Sequence, residues 1–155
     1  MEAEALRPTL GVFALRADPD PATDEDLALR AREHYRESGI PEIEADGVVS
    51  ARVEDGERVL GMRASATVRR VDVEEDTRAV VSTEGPLYVT DRRLLHLGPE
   101  MESIELLDID ELVMADDRIL VTLVGSRGLT LDVDNPHQLR VLIAAAKAAR
   151  RVADQ

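Results

Sequence analysis

From Glu57 onward the chain alternates. Leu60, Met62, Ala64, Ala66 and Val68 fall on one side, and Val59, Arg63, Ser65, Thr67 and Arg69 on the other. That period of two predicts a long half-buried strand, and the small residues in its middle would let it bend. Further apolar runs predict strands at Arg78–Thr83, Pro86–Thr90, Arg93–Leu97, Ser103–Leu107, Glu111–Met114, Arg118–Val124 and Gly128–Val133. Turn signals separate them: Glu84-Gly85-Pro86, Asp91-Arg92, Gly98-Pro99, Asp116-Asp117 and Gly125-Ser126-Arg127-Gly128. Short, evenly spaced strands predict an antiparallel meander, a sandwich or a barrel.

The period changes at both ends of this run. After Asn135, a preferred cap, Pro136 takes the first helical position and Gln138 completes a capping box. Leu139, Leu142, Ile143, Ala146 and Ala149 then repeat on one helical face, and Lys147, Arg150 and Arg151 suit the negative end of the dipole. Upstream, Thr23 caps a helix opened by Asp24, Glu25 and Asp26, with Asp26 in the reciprocal position. Its stripe, Leu27, Ala28, Ala31 and Tyr35, is narrow, so the helix is expected on a surface, ending near Ser38 at Gly39 and Pro41. Residues 41–57 read as an acidic loop with a short strand at Gly47–Val53. Residues 1–22 read as an extended arm in which Leu10–Leu15 form a short strand before Asp18-Pro19-Asp20-Pro21. Strands followed by one amphipathic helix make an α+β domain, mainly antiparallel β. Two parts are expected: residues 1–56, an appended arm and helix, and residues 57–155, the sheet with its terminal helix.

One stretch of this pattern is more specific. Gly85-Pro86-Leu87-Tyr88-Val89-Thr90-Asp91-Arg92-Arg93-Leu94-Leu95 resembles the G-x-L-x-(I/V)-T-(N/D/S)-x-R-L segment of GRAM and bacterial PH-like domains, which spans two strands and a tight turn. Ser103-Ile104-Glu105-Leu106-Leu107-Asp108-Ile109-Asp110-Glu111-Leu112 resembles the strand that follows there, with Glu105 where proline is common. The resemblance covers residues 57–152. It implies a PH-like split barrel of about seven strands, closed at one end by the C-terminal helix, with the N-terminal helix as an addition. It also implies a headgroup site on the first strands, where this chain has Arg63, Arg69, Arg70 and Arg78. Asp72, Glu74, Glu75 and Asp76 lie between the last two and would repel a phosphate.

Composition narrows the function. The net charge is −13, with 32 acids against 19 basic residues, and Lys147 is the single lysine. Nucleic-acid and anionic-membrane surfaces demand the opposite balance, so neither is an expected partner. Aromatics are 2% of the chain, too few for stacking platforms. There is no cysteine, hence no disulfide or thiolate site, and with an acidic N-terminus a cytoplasmic protein is expected. Abundant Arg, Ala, Val and Asp suggest a bacterial, GC-rich source.

No catalytic, cofactor or metal residues emerge. His34, His96 and His137 lack ligand spacing, and Asp18-Pro19-Asp20 and Asp132-Val133-Asp134 do not continue as calcium loops. Ser50, Ser65, Ser82, Ser103 and Ser126 lack a nucleophile elbow, and Gly125–Gly128 suits a hairpin better than a phosphate loop. Arg92 is expected exposed at a hairpin tip, and Arg93 paired with a neighbouring carboxylate. The expected function is a non-catalytic PH/GRAM-like binding or regulatory module engaging a protein partner, or copies of itself as a homo-oligomer through Leu10–Leu15. The alternatives are a headgroup-binding module recruited to membranes, and a small ligand-binding barrel or hydrolase.

Overall fold

A computed structural model of the chain describes residues 22–74, 77–125 and 127–155. The expected arm and its Leu10–Leu15 strand lie outside the described residues, as do the Asp18–Asp20 fragment, Glu75, Asp76 and Ser126.

Helix α1 spans Asp24–Ser38 and begins as its capping box predicts. The Asp26 amide donates to Thr23 Oγ1 at 3.1 Å, and the Thr23 amide to Asp26 Oδ2 at 3.3 Å. Gly39, at φ 78°, ends it, its backbone N–H donating a hydrogen bond to the Tyr35 carbonyl. The acidic stretch that follows holds a short helix, α2 (Gly47–Ser50), where a strand was expected. Asp46 causes this, because its Oδ1 accepts from the amides of Val48 and Val49, both at 2.9 Å, and starts a helical turn.

Seven strands follow: β1 (Val59–Glu74), β2 (Thr77–Thr90), β3 (Arg93–Leu97), β4 (Met101–Glu105), β5 (Ile109–Ala115), β6 (Arg118–Leu123) and β7 (Gly128–Val133). A 3-10 turn, Leu106–Asp108, links β4 to β5, and α3 (Pro136–Ala153) closes the order. All pairings are antiparallel, in the order β4-β3-β2-β1-β7-β6-β5. The chain is therefore α+β, with a seven-stranded antiparallel sheet and a C-terminal helix. Among the described residues the sheet is not closed: β4 and β5 are its two unpaired ends. The chain leaves β4 through the 3-10 turn rather than along a strand, and α3 packs against that turn and β5.

Two expectations about the strands change. No turn forms at Glu84-Gly85-Pro86; β2 runs straight through. Gly85 is there for proximity, since a Cβ would sit 2.7 Å from the Gly98 Cα. Pro86 is tolerated because β1 bulges opposite it: Arg63 pairs Leu87, but Ala66 already pairs Gly85. A second irregularity falls between Val59 and Gly61. Each extra residue reverses the inward parity of β1. Leu60, Ala66 and Val68 therefore face the main core, whereas Met62 packs with Val49, Val59, Tyr88 and Leu95 on the opposite face. Ala64, expected inward, is exposed in the bulge.

The main core joins Leu60, Leu87, Leu94, Ile109, Ile119 and Leu131 of the sheet region to Leu139, Leu142, Ile143 and Ala146 of α3. Each such aliphatic side chain contributes roughly 1.5–3 kcal/mol by leaving water. The smaller cluster lies under residues 45–53, which cover the outer face of β1–β3. The start of α3 differs from expectation. Asn135 is left-handed (φ 50°, ψ 58°) and makes no side-chain cap bond. Asp24 of α1 takes that role, accepting from the amides of His137 at 2.7 Å and Gln138 at 3.2 Å. The Gln138 side chain, expected to close a capping box, donates to Asp24 as well, at 3.1 Å. A carboxylate at a helix N-terminus meets both the free amides and the positive end of the dipole. The two helices thus lie with their N-termini together.

Candidate functional site

The residues that carry the GRAM-like motif are occupied in holding the fold. Thr90 and Arg93 flank the β2–β3 turn, and Glu57 precedes β1 with its side chain fully buried. Arg93 grips that carboxylate with two donors, Nε to Oε2 at 2.9 Å and Nη2 to Oε1 at 3.0 Å. The Thr90 hydroxyl donates to Oε2 at 2.7 Å, while its oxygen accepts from the amides of Arg92 and Arg93. Burial works against ionising Glu57. The Arg93 contact, with the Glu54 amide and Thr90, outweighs it and brings the carboxyl down to about 2. Arg92 is not free at a tip: it donates to Glu54 at 3.0 Å and to the Asp55 carbonyl at 3.2 Å. Tyr88, also in the motif, donates to Asp46 Oδ2 at 2.6 Å. Burial and that carboxylate push the phenol up to about 12.

Of the arginines that the resemblance marks for a headgroup, Arg63, Arg69 and Arg70 are each engaged with a different partner. Arg63 donates to the carbonyls of Asp134 and Asn135 and braces the β7–α3 corner. Arg69 lies 3.6 Å from Asp132, and Arg70 pairs with Glu102. Arg78 sits on β2, in the far part of the hairpin. The three histidines lie on separate elements: His34 exposed on α1, His137 at the start of α3, His96 buried in β3. His96 Nε2 donates to the Ala66 carbonyl at 2.9 Å in the β1 bulge. Ser65 and Ser50 donate to Glu84 and to the Asp46 carbonyl. Among the described residues no three His, Cys, Asp or Glu side chains come together in a way that would hold a metal ion. None of the helices there is long and apolar enough to cross a membrane.

A different constellation stands out. The C-terminal half of α1, the exposed side of α3 and the start of β1 enclose a half-open groove of about 680 Å³. Its floor is apolar: Tyr35, Ile40, Leu60, Val141 and the alanines 144, 145, 146, 148 and 149. Ala149, expected in the core, is exposed here instead. Alanine exposes backbone-close surface, so another chain can approach α3 more nearly than over longer side chains. Burial pushes the Tyr35 hydroxyl up, so it lines the groove as a neutral group.

Four arginines edge this floor, Arg32 and Arg36 one turn apart on α1, Arg58 before β1, and Arg140 on α3. One carboxylate, Asp91, stands among the described lining residues, 3.7 Å from Arg58. Arg140 Nε is shut from solvent with no hydrogen-bond partner, a donor left in need of an acceptor. In a chain of net charge −13 this is a local reversal of sign. Sequence reasoning missed the groove because its three walls are distant in the chain. The i, i+4 pair Arg32 and Arg36 beside an alanine-rich helix face was the available signal.

No family model matches the chain, and no curated protein matches it. Solved structures with some likeness include the C-terminal domain of an unknown protein from Leishmania infantum, at 16% identity and a TM-score of 0.43. That match covers 61% of this chain and 87% of the other. So slight a likeness adds nothing to what the strand pairing shows.

Proposed function

We propose that this chain is a non-catalytic, PH/GRAM-like binding module that takes a protein partner in the groove between α1 and α3. The observation that carries the reading is the groove itself: an apolar floor edged by four arginines on a strongly acidic molecule. Supporting the PH-like part is the strand order, in which the long bulged β1 lies between β2–β4 on one side and β5–β7 on the other, with α3 against the inner face. The motif residues support it too, since Thr90 and Arg93 are spent on structure and leave recognition to another surface. Membrane recruitment has less in its favour, because Arg63, Arg69 and Arg70 are each engaged elsewhere.

The test is differential capture. Ala144 is exposed and lines the groove, so Ala144→Trp fills it without touching the core. Immobilised wild-type chain is expected to retain a protein from source-organism lysate that the Trp variant loses. Identical capture by both, or sedimentation of both with anionic vesicles at low salt, would overturn the reading.

A further inference from the structure

Resting on that reading of the groove, we propose that its occupant is an acidic amphipathic helix of a partner protein, with leucine-like side chains on the alanine floor and carboxylates on the arginine rim. Three observations select this chemistry. First, the cations are distributed. Arg32 and Arg36 stand on α1, Arg140 on α3 and Arg58 just before β1. A ligand with a single acidic head, such as a fatty acid, satisfies one such position; a helix with acids at intervals satisfies several.

Second, the lining of α3 is alanine at positions 144, 145, 148 and 149, a repeat of one and four residues. Small side chains at helical spacing let a second helix settle close by, ridge into groove. Helix α1 already lies along α3 with its N-terminus fixed by Asp24, and the incoming helix would complete a three-helix layer. Third, one carboxylate, Asp91, stands against the four arginines among the described lining residues, so the rim holds an excess of cation for an incoming acid to meet. The charge balance adds selectivity: a chain of net charge −13 repels an acidic segment as a whole, while this rim attracts one.

The test uses the full-length chain and a fluorescein-labelled synthetic helix with leucines three and four residues apart and glutamates between them. Its partner probe replaces each glutamate by glutamine. Anisotropy titration is expected to show saturable binding of the acidic helix that weakens as salt rises. Binding should fall about tenfold for the glutamine probe, for Arg36→Glu and for Arg140→Gln. Arg36 is exposed, so loss there does not come from unfolding, and circular dichroism of both variants controls for it. Equal binding of the glutamine probe would overturn the charge argument. Failure of the acidic helix where palmitate binds would replace it by an amphiphile. A concentration-dependent dimer abolished by Ala144→Trp would make the occupant a second copy. In each of these cases a protein captured by wild type and lost by Ala144→Trp leaves the groove standing as a protein site; identical capture by both removes the site itself.

Discussion

Glu57 sits two residues before β1, and no periodicity marks it, yet it ties residues 52–57 to the β2–β3 turn. Arg93 reaches it with two donors and also holds the Arg52 carbonyl. Removing the carboxylate leaves a mostly buried guanidinium without its partner, so Glu57→Ala is expected to cost about 3 kcal/mol in urea unfolding. The pH dependence has a definite sign. Folding lowers the Glu57 carboxyl from its ordinary value near 4.5 to about 2. Its contribution is therefore complete above about pH 4.5 and lost as pH falls toward about 2. Comparing wild type with Glu57→Gln across that window isolates it: the stability gap should narrow on acidification, and a gap independent of pH would contradict the assignment. At the other end of the chain Asp24, not Asn135, caps α3. Asp24→Ala is expected to cost about 1–2 kcal/mol, whereas Asn135→Gly, which suits a left-handed residue that caps nothing, should cost nothing. Thermal unfolding of the two variants separates these assignments.

At the scale of elements, α1, most strand positions and α3 were legible because each rests on a local pattern: the Thr23 box, the turn residues, the apolar repeat from Leu139. What failed was the detail set by partners. Ala64 and Ser65 signalled a bend, but not the bulge that reverses parity and sends Met62 to the outer cluster. Glu84-Gly85-Pro86 has turn chemistry, yet the strand continues because Pro86 lies across from that bulge and Gly85 must clear Gly98. The α3 cap could not be read at all, since its acceptor lies 113 residues away. Helix and sheet also meet closely at Gly61, where a Cβ would strike the Leu142 side chain. Gly61→Ala is expected to destabilise by about 1–3 kcal/mol through overpacking, and Leu142→Ala in the same chain to recover part of the loss. Additive losses in a double-mutant cycle would contradict that contact.

Across the whole molecule, the α+β class and the antiparallel sheet followed from alternation and turn spacing, but closure did not. A closed barrel requires β4 to meet β5; here a 3-10 turn and α3 stand at that gap. The groove was equally out of reach, because Arg32, Arg58 and Arg140 share a rim only once α1 lies along α3 and both lie by the start of β1. Net charge of −13 pointed away from anionic partners as a global quantity. Local arrangement differs on one face, where four arginines and one carboxylate line the groove among the described residues. The most direct measurement is an amide-shift NMR titration of the full chain with the acidic helix. Shifts should concentrate on Arg32–Ile40 and Arg140–Ala149, with little change at Arg63, Arg69 and Arg70. Shifts centred instead on those strand arginines, or spread evenly over the surface, would contradict a binding site between α1 and α3.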